Sequence, residues 1–77
     1  MYLMKYRSRI EINPEVMVDK PIIKGTRIPV EFILELLASG WTFEEILENY
    51  PQLKREDILA AIEYSLEILK NEKVYPV

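Results

Sequence analysis

Six consecutive residues, Trp41-Thr42-Phe43-Glu44-Glu45-Ile46, mark where a helix must begin. Thr42 is an N-cap: its side-chain oxygen can accept a bond from the exposed amides of the first turn. Glu45, three residues on, can reach back to the Thr42 amide and close a capping box. Trp41 before the cap and Ile46 at the fourth helical position form a hydrophobic staple that sets the angle of entry. From this start, Phe43, Ile46, Leu47 and Tyr50 make one apolar face, and Pro51 ends the helix. Upstream, Val30, Ile33, Leu34 and Leu37 share the face of a helix over about 30–39, stopped by Gly40. Phe32 and Leu36 widen that face, so this helix is expected to be buried on two sides. Downstream, a helix over about 55–71 has Ile58, Leu59, Ile62, Leu66 and Leu69 as its core stripe. Ala60 and Ala61 let a neighbour approach, and Arg55, Glu56, Glu63, Glu67 and Lys70 face water.

Before residue 30 the pattern changes. Arg7-Ser8-Arg9-Ile10-Glu11-Ile12 ends in polar–apolar alternation and reads as a short strand, broken by Asn13-Pro14. Residues 14–19 could form one helical turn started by Pro14. Ile22-Ile23 and Ile28 favour extended backbone, with Gly25 as a bend between them and Pro29 at the entry of the next helix. The chain is therefore expected to be mainly α, a trihelical helix-turn-helix core of homeodomain-like or winged-helix-like type with a short N-terminal β element. Its single domain, 1–77, divides into a basic element and loops over 1–29, the helical core over 30–72 and a tail over 73–77. Pro51-Gln52-Leu53-Lys54 is about the length of a helix-turn-helix connection.

Size and chemistry narrow the function. A 77-residue chain buries only a little over ~60% of its unfolded surface. With no cysteine and no histidine it has neither a disulfide nor a Cys/His metal set to help. The same absences remove zinc sites, thiol nucleophiles and imidazole acid–base chemistry. Glu44, Glu45 and Glu48 share one short helix, but they read as a cap and a wet face rather than a catalytic or magnesium-binding pair. No enzymatic activity and no cofactor are expected. The apolar load of the first helix, with Trp41, leads to the expectation of a homodimer. The N-terminus has no long apolar run and nothing approaches a membrane span, so a soluble cytoplasmic protein is expected. Abundant Glu, Lys and Ile with one Gln point towards a thermophilic source.

The net charge of −3 is unevenly spread. Residues 1–29 carry six bases and three acids, and residues 30–77 four bases and ten acids. A polyanion or an acidic surface should therefore meet the first third of the chain. Lys5, Arg7 and Arg9 would line one face of a strand, as in a DNA-binding β-ribbon, as a plug for an acidic site, or as a solvated edge. Lys24-Gly25-Thr26-Arg27 is no phosphate loop, because it has one glycine and Pro29 removes an amide. Gly25 and Thr26 shape a turn, whereas Lys24 and Arg27 are candidates for an anionic contact. In a helix-turn-helix reader the start of the third helix would face DNA. There Gln52 and Arg55 are candidate contacts, against the repulsion of Glu56 and Asp57.

Taken together, Pro14-Glu15-Val16, Lys20 to Val30, Leu37-Ala38-Ser39-Gly40, Ile46 to Leu53 and Glu56-Asp57-Ile58 resemble the small prokaryotic proteins of the domain-of-unknown-function four-three-three family. The resemblance covers roughly residues 9–69. It implies a helix-turn-helix fold and an antitoxin-like role beside a small nuclease toxin of the PIN type, with operator DNA as a further partner. A protein-interaction module without DNA binding is the alternative. The chain departs from the family pattern at Lys54, where a capping Ser or Thr is usual, and lysine cannot accept from the exposed amides.

Overall fold

The computed structural model describes residues 5–12, 15 and 20–71. Among them the order is a 3-10 turn over Arg7–Arg9, strand β1 (Ile10–Ile12), strand β2 (Pro21–Ile23) and helices α1 (Val30–Ala38), α2 (Phe43–Asn49) and α3 (Arg55–Asn71). The architecture is mainly α, three helices with a two-stranded element near the N-terminus. The helical turn expected over 14–19 lies outside the described residues, apart from Glu15 in a turn.

The strands pair antiparallel, Ile10 with Ile23, Glu11 with Ile22 and Ile12 with Pro21. Beyond β2 the chain folds back, and Ile22 bridges Pro29 on the other edge. Ile22 and Ile23 therefore run between two extended segments, and both side chains are fully buried. The strand expected over 7–12 is shorter than its sequence pattern: the Arg9 amide donates to the Tyr6 carbonyl at 3.0 Å, and residues 7–9 coil.

α1 buries Val30, Ile33 and Leu36, and half-buries Phe32, Leu34 and Leu37 against the core. Gly40, at φ +96, allows the chain to turn out of the helix. α2 starts as its sequence requires. Thr42 Oγ1 accepts from the Glu45 amide at 3.1 Å, and Glu45 Oε1 accepts from the Thr42 amide at 2.9 Å. Trp41 and Ile46 both join the core, Ile46 fully buried.

α3 corrects the expected core stripe. Asp57, Ile58, Ala60 and Ala61 are buried, whereas Ile62 is 36% and Leu69 64% exposed. Leu59 and Leu66 are half-buried but do not pack against the core cluster. The face that meets α1, α2, β1 and the N-terminal turn is the one with Ala60 and Ala61, because four elements crowd against α3.

Candidate functional site

The segment from Ile22 to Val30 is a tight hairpin rooted in the core. Ile22, Ile23, Ile28 and Val30 are buried. The Thr26 amide donates to the Ile23 carbonyl at 3.0 Å, which places Lys24 and Gly25 at the two central positions of a β-turn. Gly25 has φ +83, the left-handed value that a type II turn needs at its third residue. Thr26 locks the turn from the side, its hydroxyl donating to the Ile23 carbonyl at 2.8 Å and accepting from the Ile28 amide at 3.0 Å. The Ile23 amide closes the base on the Ile28 carbonyl at 3.0 Å, and the Lys24 amide ties the tip to the Arg9 carbonyl at 2.7 Å. Lys24 and Arg27 are exposed at this tip. Among the described residues, neither side chain has a hydrogen bond or ion pair.

Beside the tip lies an open depression of about 590 Å³ lined by Glu11, Gly25, Thr26, Arg27 and Gln52. It brings together two candidates far apart in sequence, Arg27 and Gln52, the latter from the α2–α3 connection. Arg55 stands apart from them, its guanidinium 4.9 Å from the centre of the Phe43 ring.

The three N-terminal bases do not share a face, since residues 7–9 form a turn rather than a strand. Arg9 reaches inward, its Nη1 donating to Asp57 Oδ1 at 2.9 Å. Arg7 lies over the Tyr64 ring at 5.4 Å and donates to the Ile10 carbonyl at 3.2 Å. Only Lys5 of the three keeps an exposed side chain without such a contact among the described residues. Lys20 pairs with Glu31 at the surface.

Two carboxylates hold the N-terminal segment to α3, Asp57 and Glu63, the second of which was expected to face water. Asp57, 5% exposed, takes Arg9 on one oxygen and the Lys54 amide on the other, at 2.9 Å each. Glu63 accepts from the Lys5 amide at 3.1 Å and the Tyr6 amide at 2.8 Å. Asp57 had a local signal, an acid three residues after the cap position of α3. Glu63 had none, since its partners are more than fifty residues away. The described residues contain no group of three or more acidic side chains placed to hold a metal, and no helix long and apolar enough to cross a membrane.

Similar proteins are found by sequence and by fold. A family model described as "Protein of unknown function (DUF433)" matches residues 10–65, from β1 well into α3. The uncharacterized protein y4eO of Sinorhizobium fredii (strain NBRC 101917 / NGR234) is 32% identical over 59 residues, which make up 77% of this chain and 27% of that protein. The crystal structure of a DUF433 member from Anabaena variabilis ATCC 29413 superposes with a TM-score of 0.74 at 35% identity, covering 80% of this chain and 61% of that one. The chain thus spans about a quarter of the first relative's length and three fifths of the second's.

Proposed function

The chain belongs to the DUF433 family, and on that premise we propose that it is the antitoxin half of a toxin–antitoxin pair, acting as a homodimer and presenting its 24–27 tip to the acidic metal site of a PIN-type nuclease. The observation that carries this reading is the tip itself: two exposed cations without partners among the described residues, on a turn already fixed by its own hydrogen bonds. A preformed tip loses little conformational freedom on binding. Arg27 has the planar fork that suits a carboxylate. Arg9, Arg7 and Lys20 support the reading by contrast, because each is engaged within the fold.

Operator DNA is the second partner of this reading, and one observation favours it. Asp57 turns inward, so of the two acids at the start of α3 only Glu56 remains near Gln52, Lys54 and Arg55 to repel phosphate. Arg27, sharing a depression with Gln52, extends that surface.

The test measures a PIN-type nuclease and an operator duplex against Arg27→Ala and Arg55→Ala. Arg27→Ala is expected to weaken nuclease inhibition roughly thirtyfold or more at any salt, the loss of about 2 kcal/mol when one side of a desolvated charge pair is removed. For DNA, each lost phosphate contact should flatten the salt dependence by about one unit. If Arg55→Ala alone matters for DNA, the tip does not touch it. If the unaltered protein binds neither ligand, the antitoxin reading gives way to an interaction module without DNA binding.

A further inference from the structure

The N-terminal segment is fastened to the rest of the molecule at two places of unequal strength. At Arg9 it is rooted. The guanidinium donates to the buried Asp57 at 2.9 Å, and the Arg9 carbonyl accepts from the Lys24 amide at 2.7 Å. Ile10, the next residue, lies in the core. Ahead of Arg9 the hold is polar and shallow. The Lys5 amide donates to Glu63 Oε2 and the Tyr6 amide to Glu63 Oε1, and Arg7 lies over the Tyr64 ring. None of residues 7–9 is buried, and Tyr6 is half-buried.

The chemistry of this second hold is that of an anion site already filled. Two adjacent backbone amides converge on one carboxylate, the arrangement by which a main chain captures an oxyanion. The bases of Lys5 and Arg7 belong to the same three residues and are exposed. Glu63 thus stands where an external anion would. We propose that the contact is autoinhibitory: Glu63 latches the arm 5–7 onto α3 and withholds its donors from the phosphate backbone of DNA.

Release needs no unfolding. The arm buries little, and it can lift from α3 while Arg9 stays in its joint with Asp57. The bond from Lys24 to Arg9 sets the root of the arm beside the 24–27 tip, so a lifted arm adds Lys5 and Arg7 to the surface of Lys24 and Arg27. From Arg9 to Lys5 the extended chain reaches roughly 13 Å. That length suits a run of phosphates better than a single acidic pocket filled by Arg27. Phosphates offered to the same donors compete with Glu63, and most strongly at low salt.

This inference rests on the reading that DNA meets the tip, and its test separates the two. Glu63→Ala is compared with Glu67→Ala, which removes the same charge one turn along the same helix. Glu63→Ala should speed hydrogen exchange at the Tyr6 amide roughly tenfold, with the Ile23 amide and the helical circular dichroism unchanged. A short fluorescent duplex of mixed sequence should bind more tightly to this variant. The salt dependence should steepen by about one unit for each freed base, about two for Lys5 and Arg7 together. The slope counts phosphates contacted, so loss of an acid without a new contact leaves it unchanged. Glu67→Ala should therefore match the unaltered protein in both slope and exchange. Adding Arg7→Ala to Glu63→Ala should give back about one unit.

The same slope for Glu63→Ala and Glu67→Ala overturns the latch, whatever Arg27→Ala does, and so does unchanged exchange at Tyr6. Stronger inhibition of a PIN-type nuclease by Glu63→Ala, with DNA binding unaltered, overturns phosphate as the ligand of the arm. A slope steepened by Glu63→Ala, with DNA affinity indifferent to Arg27→Ala, upholds the latch and removes the tip as a DNA contact.

Discussion

Helices α2 and α3 begin with the same device built in different ways. At α2, Thr42 and Glu45 satisfy one another's amides within four residues, and both are exposed. At α3 the cap position is Lys54, which has no acceptor, and only the returning half of the box exists, from the Lys54 amide to Asp57 Oδ2. The other oxygen of Asp57 takes Arg9 from 48 residues upstream. The first start is a local matter of chain stiffness and hydrogen bonding. The second is a tertiary joint that also fixes the N-terminal segment. A capping residue used only locally should be replaceable at modest cost, and one used as a joint should not.

The largest effect expected from this contrast is at Asp57. Asp57→Ala should destabilise the protein by about 2 kcal/mol, because it removes a charge-assisted bond to Arg9 and the cap on Lys54 from a buried position. The figure is held below that of a fully buried ion pair because the Arg9 side chain keeps 34% of its exposure. Urea melts of Asp57→Ala, Arg9→Ala and the double variant should show a coupling of roughly 0.5 kcal/mol or more between the two positions. Additive losses would mean that Asp57 acts only as a local cap, and the contrast between the two helix starts would collapse.

Thr42→Ala should cost about 1 kcal/mol, since it removes the cap and one half of the box at an exposed site. Its loss should add to that of Asp57→Ala, because the two networks share no residue. A Thr42→Ala loss as large as that at Asp57 would show that the start of α2 carries more than its first turn.

The same division between local and distant causes explains what could be read from the sequence. α3 over 55–71 and the starts of α1 and α2 follow from spacing, caps and breakers that act within one or two turns. The 24–27 turn was readable for the same reason, since Gly25 and Thr26 make their bonds to near neighbours. The face of α3 was not. Large side chains at helical spacing made Ile62 and Leu69 look like core, but Ala60 and Ala61 are what close packing there admits. Arg9 and Glu63 carried no sign of their roles, because a charged residue 48 or 57 positions from its partner looks the same as one in water. Of the candidate contacts, Lys24 and Arg27 emerge exposed and Arg9 emerges as part of the joint, a distinction that only tertiary structure makes.

The smallest expected effect is a gain. Lys54→Ser would supply α3 with the half of the box that it lacks, the serine oxygen accepting from the Asp57 amide as Thr42 does from Glu45. It would also take a positive charge away from the positive end of the helix. The Asp57 amide already donates to the Lys54 carbonyl at 2.9 Å, so the new cap competes with an existing bond and the gain should be only a few tenths of a kcal/mol. Lys54→Ala separates the two contributions, because it removes the charge without adding an acceptor. Greater stability for serine than for alanine identifies the cap as the cause. Equal stability would mean that the carbonyl and the Asp57 carboxylate already satisfy this helix start. In that case α3 needs no residue at its cap position whose side chain can accept a bond, because the Lys54 carbonyl takes the Asp57 amide and the Asp57 carboxylate takes the Lys54 amide.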